Sequence, residues 1–320
     1  MKKILNIVNG DTCIDIMKRA GVTGDFLPWR DFLHEGPVPP NLTLDELSKV
    51  RANFIAQYGV GAFKDIYSAF KQRDRVLKSF RDYEKITLWF EHDLYDQLQL
   101  IQILSWFEGE DLKDIELTLI STNEYLGESS ELKIRKFLQY EINVSQEHMN
   151  LAKEAWHIFK LPTPIQWFEL LNRPTSILPY LKAAILRMLE EYPNTRSGLS
   201  RSEYQALLII SNGITEPLDI FKKYQSFEER KFMGDVTFFK ILEQFKESKV
   251  IESSDDGLQI TPLGKKLLNG KENWVELTDF HRFIGGVELT KENLWCWDSE
   301  EKTVKKYYYS KVLKTLLLVK

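Results

Sequence analysis

Cysteine is scarce in this chain: of 320 residues only Cys13 and Cys296 carry a thiol. Two thiols so far apart exclude a disulfide framework and a Cys-rich metal motif. Long apolar runs are also missing. No stretch approaches the roughly 18 residues that a membrane-spanning helix needs, so no membrane partner is expected. Net charge is small, at -4, which gives no general attraction to nucleic acid or anionic lipid. The three glycines of a dinucleotide fingerprint and the lysine of a P-loop are absent, which argues against NAD and Walker-type nucleotide sites. There is no HExxH spacing, no internal repeat and no low-complexity segment. Met1-Lys2-Lys3 before Ile4 to Val8 superficially resembles a signal peptide. Asn6 interrupts that run, Gly10-Asp11 ends it, and no small-residue cleavage site follows, so a cytoplasmic protein is expected. What remains is a chain with 43% hydrophobic residues, enough to build real cores over two or three domains.

Residues 1–143 alternate apolar runs with helical patterns, which predicts a Rossmann-like α/β domain with helices on the faces of a parallel sheet. The strands are Ile4 to Val8, Asp25 to Trp29, Lys85 to Phe90 and Ile115 to Ile120. Pro28 favours an edge position for the second, because proline cannot donate to a ladder. Helices are expected at Thr12 to Ala20, Leu44 to Tyr58, Ala62 to Tyr83 and Leu94 to Phe107. Gly36-Pro37-Val38-Pro39-Pro40 reads as a rigid connector.

Polar clusters stand where three of these strands end. They are Asn9-Gly10-Asp11, then Trp29-Arg30-Asp31 with His34-Glu35-Gly36, then Glu91-His92-Asp93 with Asp96-Gln97. Loops beyond the carboxyl ends of an open α/β sheet converge on one crevice, so Asp11, Arg30 and His92 are expected to face a shared pocket. Asp11 is either an N-cap or a group that orients water or a metal. Asp93 can cap a helix, and Asp96 suits its positive end. Glu91 follows the aromatic pair Trp89-Phe90, where desolvation would raise its pKa and fit it for acid/base work. His92 titrates near neutrality. Arg30 can grip a phosphate or pair with a neighbouring acid. His34, His92, Asp31, Asp93 and Asp11 together offer an oxygen-and-imidazole metal set, without a spacing motif behind it. Asn123 to Gly127 is either a lid or, more simply, a surface turn. His148 and His157 read as structural.

Residues 144–195 read as a helical linker bundle. Residues 196–320 begin with a capping box, Ser200 with Glu203. Three helices and a hairpin, Val250 to Glu252 and Leu258 to Ile260, then follow. That is the winged-helix order, with a further hairpin around Asp298 to Glu301. From Arg196 to Glu288 there are fifteen acids and thirteen bases, so no strong basic footprint for DNA appears. Lys305-Lys306-Tyr307-Tyr308-Tyr309 fits either a nucleic-acid platform or an edge strand guarded by lysine.

Val8-Asn9-Gly10-Asp11, Trp29-Arg30-Asp31 with His34 to Pro39, and Trp89 to Leu98 together resemble the bacterial domain-of-unknown-function 1835 family. Gly198-Leu199-Ser200, Phe232 to Asp235 and Arg282 to Val287 resemble its usual C-terminal half. The resemblance spans nearly the whole chain. It implies that the N-terminal clusters belong together and assigns none of them a role. Two functions are therefore expected as alternatives. One is binding or hydrolysis of a phosphorylated or nucleotide-like small molecule. Glu91, His92 and Asp93 would then be catalytic, and Asn9, Asp11, Trp29, Arg30, Asp31, His34, Glu35, Asp96 and Gln97 would line the site. The other is a ligand-sensing regulator whose C-terminal domain binds DNA or a protein. Neither cofactor nor metal is specified.

Overall fold

A computed structural model of the chain describes residues 3–310 and 315–319. Met1 and Lys2, part of the signal-peptide comparison, lie outside them. The described chain forms two compact units. Unit one holds the residues up to Leu161 together with Leu170–Ala184, and unit two holds Pro162–Glu169 and everything from Ile185 onward. The helical stretch expected between two domains is thus shared between the units.

Unit one is built on a five-stranded, mostly parallel sheet. Its elements in chain order are β1 (Ile4–Val8), α1 (Ile14–Arg19), β2 (Asp25–Pro28), the two-residue β3 (Gly36–Pro37), α2 (Leu44–Gln57), α3 (Phe63–Lys78), β4 (Lys85–Phe90), α4 (Leu94–Glu108), β5 (Glu116–Ser121), α5 (Glu131–Phe137), β6 (Ile142–Asn143) and α6 (Gln146–Phe159). The sheet order is β2-β1-β4-β5-β6. Ile7 lies opposite Leu27, Val8 opposite Trp89 and Phe90 opposite Ser121 in parallel ladders, while β6 runs antiparallel to β5. Pro28 does sit on the edge strand, where its missing N–H costs no ladder bond. Asn6, the polar break in the first apolar run, is buried and satisfied. Its amide donates to the Thr23 and Asp25 carbonyls at 3.0 and 3.3 Å and accepts the Trp89 indole N–H at 3.0 Å.

One face of the sheet is closed by α1 and α5, with Cys13, Met17, Ile134 and Phe137 packed on Val8, Trp89 and Ile120. Helix α4 is buried nearly all round and packs along α6, as an apolar helix must.

The α2–α3 insertion builds a small core of its own from Ala52, Ile55 and Phe70. Two arginines enter it. The Arg51 guanidinium donates to Asp31 at 2.9 and 3.0 Å, to the Glu35 carbonyl at 2.7 Å and to the Phe32 carbonyl at 3.1 Å. Arg73 lies 4.1 Å over the Trp29 ring and donates to the Trp29 carbonyl and to Asp74. Gly36 adopts φ +81°, and a Cβ there would lie 2.4 Å from the Phe54 ring, so only glycine fits.

Unit two takes α7 (Ile165–Glu169), and the boundary between the units falls inside α8 (Leu181–Leu189). Then come α9 (Arg201–Ser211), α10 (Pro217–Phe227), α11 (Asp235–Glu247), the hairpin β7 (Ile251–Ser254) and β8 (Gly257–Ile260), α12 (Pro262–Leu268), α13 (Trp274–Leu277), the hairpin β9 (His281–Gly285) and β10 (Val287–Thr290), and β11 (Leu294–Asp298), β12 (Thr303–Ser310) and β13 (Thr315–Leu318). The Ser200–Glu203 capping box opens α9. Strand β12 is the middle of an antiparallel three-stranded sheet, not the edge that its lysines suggest, because β13 pairs along its free side. Lys305 is spent on Asp298 and Glu301, and Lys306 lies 5.3 Å over the Trp295 ring.

Unit two also encloses a buried ion knot. Arg187 donates to both oxygens of Glu228 at 2.6 and 2.8 Å and to Glu191 at 2.7 Å. Arg282 reaches the Glu191 carbonyl and carboxylate at 2.9 and 3.3 Å, and Ser202 donates to Glu191 at 2.6 Å.

Candidate functional site

The strand order of the parallel sheet reverses at β1. From β1 the next strand lies on one side as β2, and β4 lies on the other. Ligands of open α/β sheets bind beyond such a switch point, at the carboxyl ends of the strands. Two strand ends meet here. Asn9, just past β1, donates its amide to the Asp96 carboxylate at 2.8 Å. The other Asp96 oxygen accepts the Glu91 N–H at 2.5 Å, just past β4. Asp93 caps α4 by accepting the Asp96 N–H at 3.1 Å, and Gln97 donates to the Glu91 carbonyl at 2.7 Å.

The segment after β5 closes over the same point. Leu126 donates its N–H to the Glu91 carboxylate at 2.7 Å. This segment is therefore not a simple surface turn: Leu126 is fully buried against Val8, Cys13 and Trp89, and that apolar contact draws it inward.

Glu91, Asp93 and Asp96 each place one carboxylate oxygen within 4.8 Å of the others, and all three are buried. Among the described residues no lysine or arginine pairs with any of them. Burial alone penalises the charged form, and the neighbouring acids add to it. Burial, then Asp96 and Asp93, push Glu91 up to about 10. Burial likewise raises Asp96 to about 7, against the opposing hydrogen bonds from the Glu91 N–H and Asn9. Asp93 is raised by burial and by Asp96. The cluster thus retains protons at neutral pH. Chemically it is a store of acidic protons, and an all-oxygen set of this kind also suits a hard divalent cation. The Cys13 thiol beneath it is pushed up to about 12 by burial and by Glu91 and Asp96, so it stays neutral.

Asp11 and Arg30 sit on the same crest, past β1 and β2. They bind each other through two hydrogen bonds of 2.6 Å. Their side chains are 59% and 47% exposed. Arg30 adopts φ +56°, and its N–H reaches the Asn9 carbonyl at 3.3 Å. Its hydrogen bond holds the Asp11 carboxyl below the usual range. His92 is 8% exposed, with the rings of Tyr125 and Tyr180 at 5.2 and 5.8 Å.

The rest of the second cluster is engaged elsewhere. Trp29 is buried under Arg73 and donates to Gln102 at 2.7 Å. Asp31 is neutralised by Arg51. Glu35 is buried and gives its carbonyl to Arg51. His34 is buried, its ring 6.1 Å from Phe32 and 6.2 Å from Tyr95. The mixed metal set drawn from sequence is therefore not the set that assembles. Arg51 takes Asp31 and Arg30 takes Asp11, and among the described residues the acids with ligating spacing are Glu91, Asp93 and Asp96.

Arg51 and Arg73 were not singled out in the sequence. Their signal was present: Leu47, Ser48, Arg51, Ala52 and Ile55 form the buried stripe of α2, as Phe70, Arg73, Asp74 and Leu77 do in α3. A charge on an inward stripe marks a buried pair. His148 is structural as read, its Nδ1 accepting the Ser145 N–H at 3.1 Å to cap α6. No helix of the described residues is long and apolar enough to cross a membrane. No protein-family model matches the chain, and no curated protein matches it either.

Proposed function

We propose that unit one binds and hydrolyses a small phosphorylated, nucleotide-like molecule at the carboxyl crest of its sheet. The observation that carries this reading is the proton-holding Glu91–Asp93–Asp96 cluster at the switch between β1 and β4. Protonated Glu91 is the general acid for the leaving oxygen, and Asp96, titrating near neutrality, is the group that takes a proton from water. Asn9 and the Leu126 N–H orient these carboxyls. Arg30 is the anion clamp, exchanging its exposed contact with Asp11 for a phosphoryl group. The partly exposed rings of Tyr125 and Tyr180 beside His92 give a planar base somewhere to stack. This reading treats the chain as a bacterial cytoplasmic protein with a Rossmann-like sheet, in the domain-of-unknown-function 1835 family that its motifs resemble.

A panel of nucleoside monophosphates, followed by ligand-observed NMR and phosphate release, tests it. At least one member binds the wild type, binding is lost in Arg30→Ala, and Glu91→Gln binds without turnover. A panel in which no member binds, or binding indifferent to Arg30→Ala, removes the reading.

A second reading rests on unit two, where α9, α10 and α11 precede the β7–β8 hairpin in winged-helix order. The exposed face of α11 carries Asp235, Glu243 and Glu247 against Lys246, and Lys240 is paired with Glu243. That acidic balance supports a protein partner over DNA, since phosphate neutralisation supplies most non-specific DNA affinity.

A further inference from the structure

Unit two contains a cavity of about 300 Å³, far from the crest in sequence and made by the segment Gly270 to Asn273 between α12 and α13, by α13 and by the β11–β13 sheet, with the turn at Asn194 to Arg196. That volume lies at the lower end of small-molecule sites. Its charges are unevenly used. Glu276 accepts the Leu316 N–H at 2.9 Å and the Thr315 hydroxyl, and Glu272 pairs with Lys266. Arg196 and Lys271 line the same cavity, and among the described residues neither has an ion-pair partner. The neutral amides are also engaged: Asn194 holds the turn at Ser197 and Leu199, and Asn273 caps α13. Among the described residues the cavity therefore offers two cations without an ion-pair partner, beside one carboxylate, Glu276, whose oxygen is taken up by the Leu316 N–H and the Thr315 hydroxyl.

Gly270 sets Arg196 beside the backbone that leads into Lys271. It adopts φ +67° after α12, and a Cβ on it would stand 3.5 Å from the Arg196 Nε. The guanidinium thus lies against the residue that precedes Lys271. Opposite in character are Cys296, buried and neutral with its thiol pushed up to about 12 by burial, the half-buried Tyr307 ring, and Leu316. One part of the lining is cationic and another is apolar.

We propose that this cavity is a second ligand site, for a small phosphate monoester whose dianionic head meets Arg196 and Lys271 and whose apolar or aromatic body lies on Cys296, Tyr307 and Leu316. Two cations match a dianion, and the guanidinium suits bidentate phosphate contact. Every lining residue belongs to unit two.

Phenyl phosphate added to the full chain is the probe, with hydrogen exchange locating it. It protects peptides covering Gly270 to Leu277 and Leu294 to Asp298, and inorganic phosphate binds more weakly because it lacks the body. Arg196→Gln and Lys271→Gln, both exposed substitutions compatible with folding, each weaken phenyl phosphate about tenfold, the loss of one charge-assisted contact. Benzyl alcohol, which lacks the head, does not bind. Three results would overturn the proposal: no binding at millimolar phenyl phosphate, affinity unchanged in both variants, or protection appearing only in unit-one peptides.

Discussion

Glu91 in unit one and Glu191 in unit two are both buried carboxylates at the centre of hydrogen-bond knots, yet they are pushed in opposite directions. Burial, with the acidic neighbours Asp96 and Asp93 adding to it, lifts Glu91 to about 10. Burial also works to raise Glu191, but Arg187 and then Arg282 overcome it and bring that group down to about 2. The Glu191 knot thus buries charge by neutralising it with guanidinium groups, as Asp31 does with Arg51 in unit one, whereas the Glu91 cluster buries acids by leaving them protonated. The first arrangement is closed, every oxygen of Glu191 and Glu228 having a donor. The second keeps exchangeable protons at a strand switch point, the position where open α/β sheets hold ligands.

The comparison breaks most visibly at Arg187. Arg187→Met should destabilise unit two by about 3–5 kcal/mol, because Glu191 and Glu228 lose their main cation while remaining buried. Hydrogen exchange on peptides from α9 and α10 reads this loss directly. Glu91→Gln keeps the carbonyl that accepts the Leu126 N–H and should cost unit one far less at neutral pH. Equal losses in the two variants would show that the acidic cluster is as dependent on charge as the arginine knot.

The pH dependence separates the units next. In unit one the folded pKa values of Glu91 and Asp96 lie above their unfolded values, so the folded state binds more protons. Its contribution is complete below about 4, the unfolded range, and is lost as pH rises through about 7 and on to about 10. The slope is up to about 1.4 kcal/mol per pH unit for each proton. In unit two the folded Glu191 lies below its unfolded value, so its contribution is present above about 4.5 and lost as pH falls toward about 2. Segment-resolved exchange, corrected for its intrinsic pH dependence, should show unit one weakening in alkali and unit two in acid. Glu91→Gln should flatten the alkaline decline. A decline of unchanged slope would remove Glu91 as its source.

The two knots also differ in how far they could be read from the chain. Glu91 to Gln97 was legible because an apolar strand ended abruptly in ionisable residues, and strand ends of a parallel sheet converge. The strands, the edge position of Pro28 and the Ser200 cap followed from local patterns of the same kind. Arg51, Arg73 and Arg187 were not legible in that way. Each stands on a helix, where charge is normally solvated, and each partner set depends on a fold that local patterns do not specify. The α2–α3 insertion shows the consequence: it drew Trp29, Asp31 and Glu35 into its own packing, which no reading of the loop by itself could anticipate. In α8, Ala184, Arg187 and Met188 share the buried side with Glu191 beyond the helix end, so an inward-stripe rule would have found the knot's arginine but not Glu228.

The smallest effect belongs to the exposed pair on the crest, where the two knots have no counterpart. Asp11 and Arg30 are about half exposed, and such pairs contribute about 0–1 kcal/mol. Asp11→Asn should therefore leave the stability of unit one almost unchanged. Its effect on a bound anion should be larger. In the wild type a phosphoryl group has to displace the Asp11 carboxylate from Arg30 and then tolerate that negative charge nearby. Removing the charge frees the guanidinium in advance, so affinity for the phosphorylated ligand should rise several-fold at low salt, and the gain should shrink as salt screens the site. Titrating wild type and Asp11→Asn at two ionic strengths measures both. A fall in affinity instead would mean that Asp11 itself holds the ligand, and Arg30 would then be its positioning partner, not the clamp.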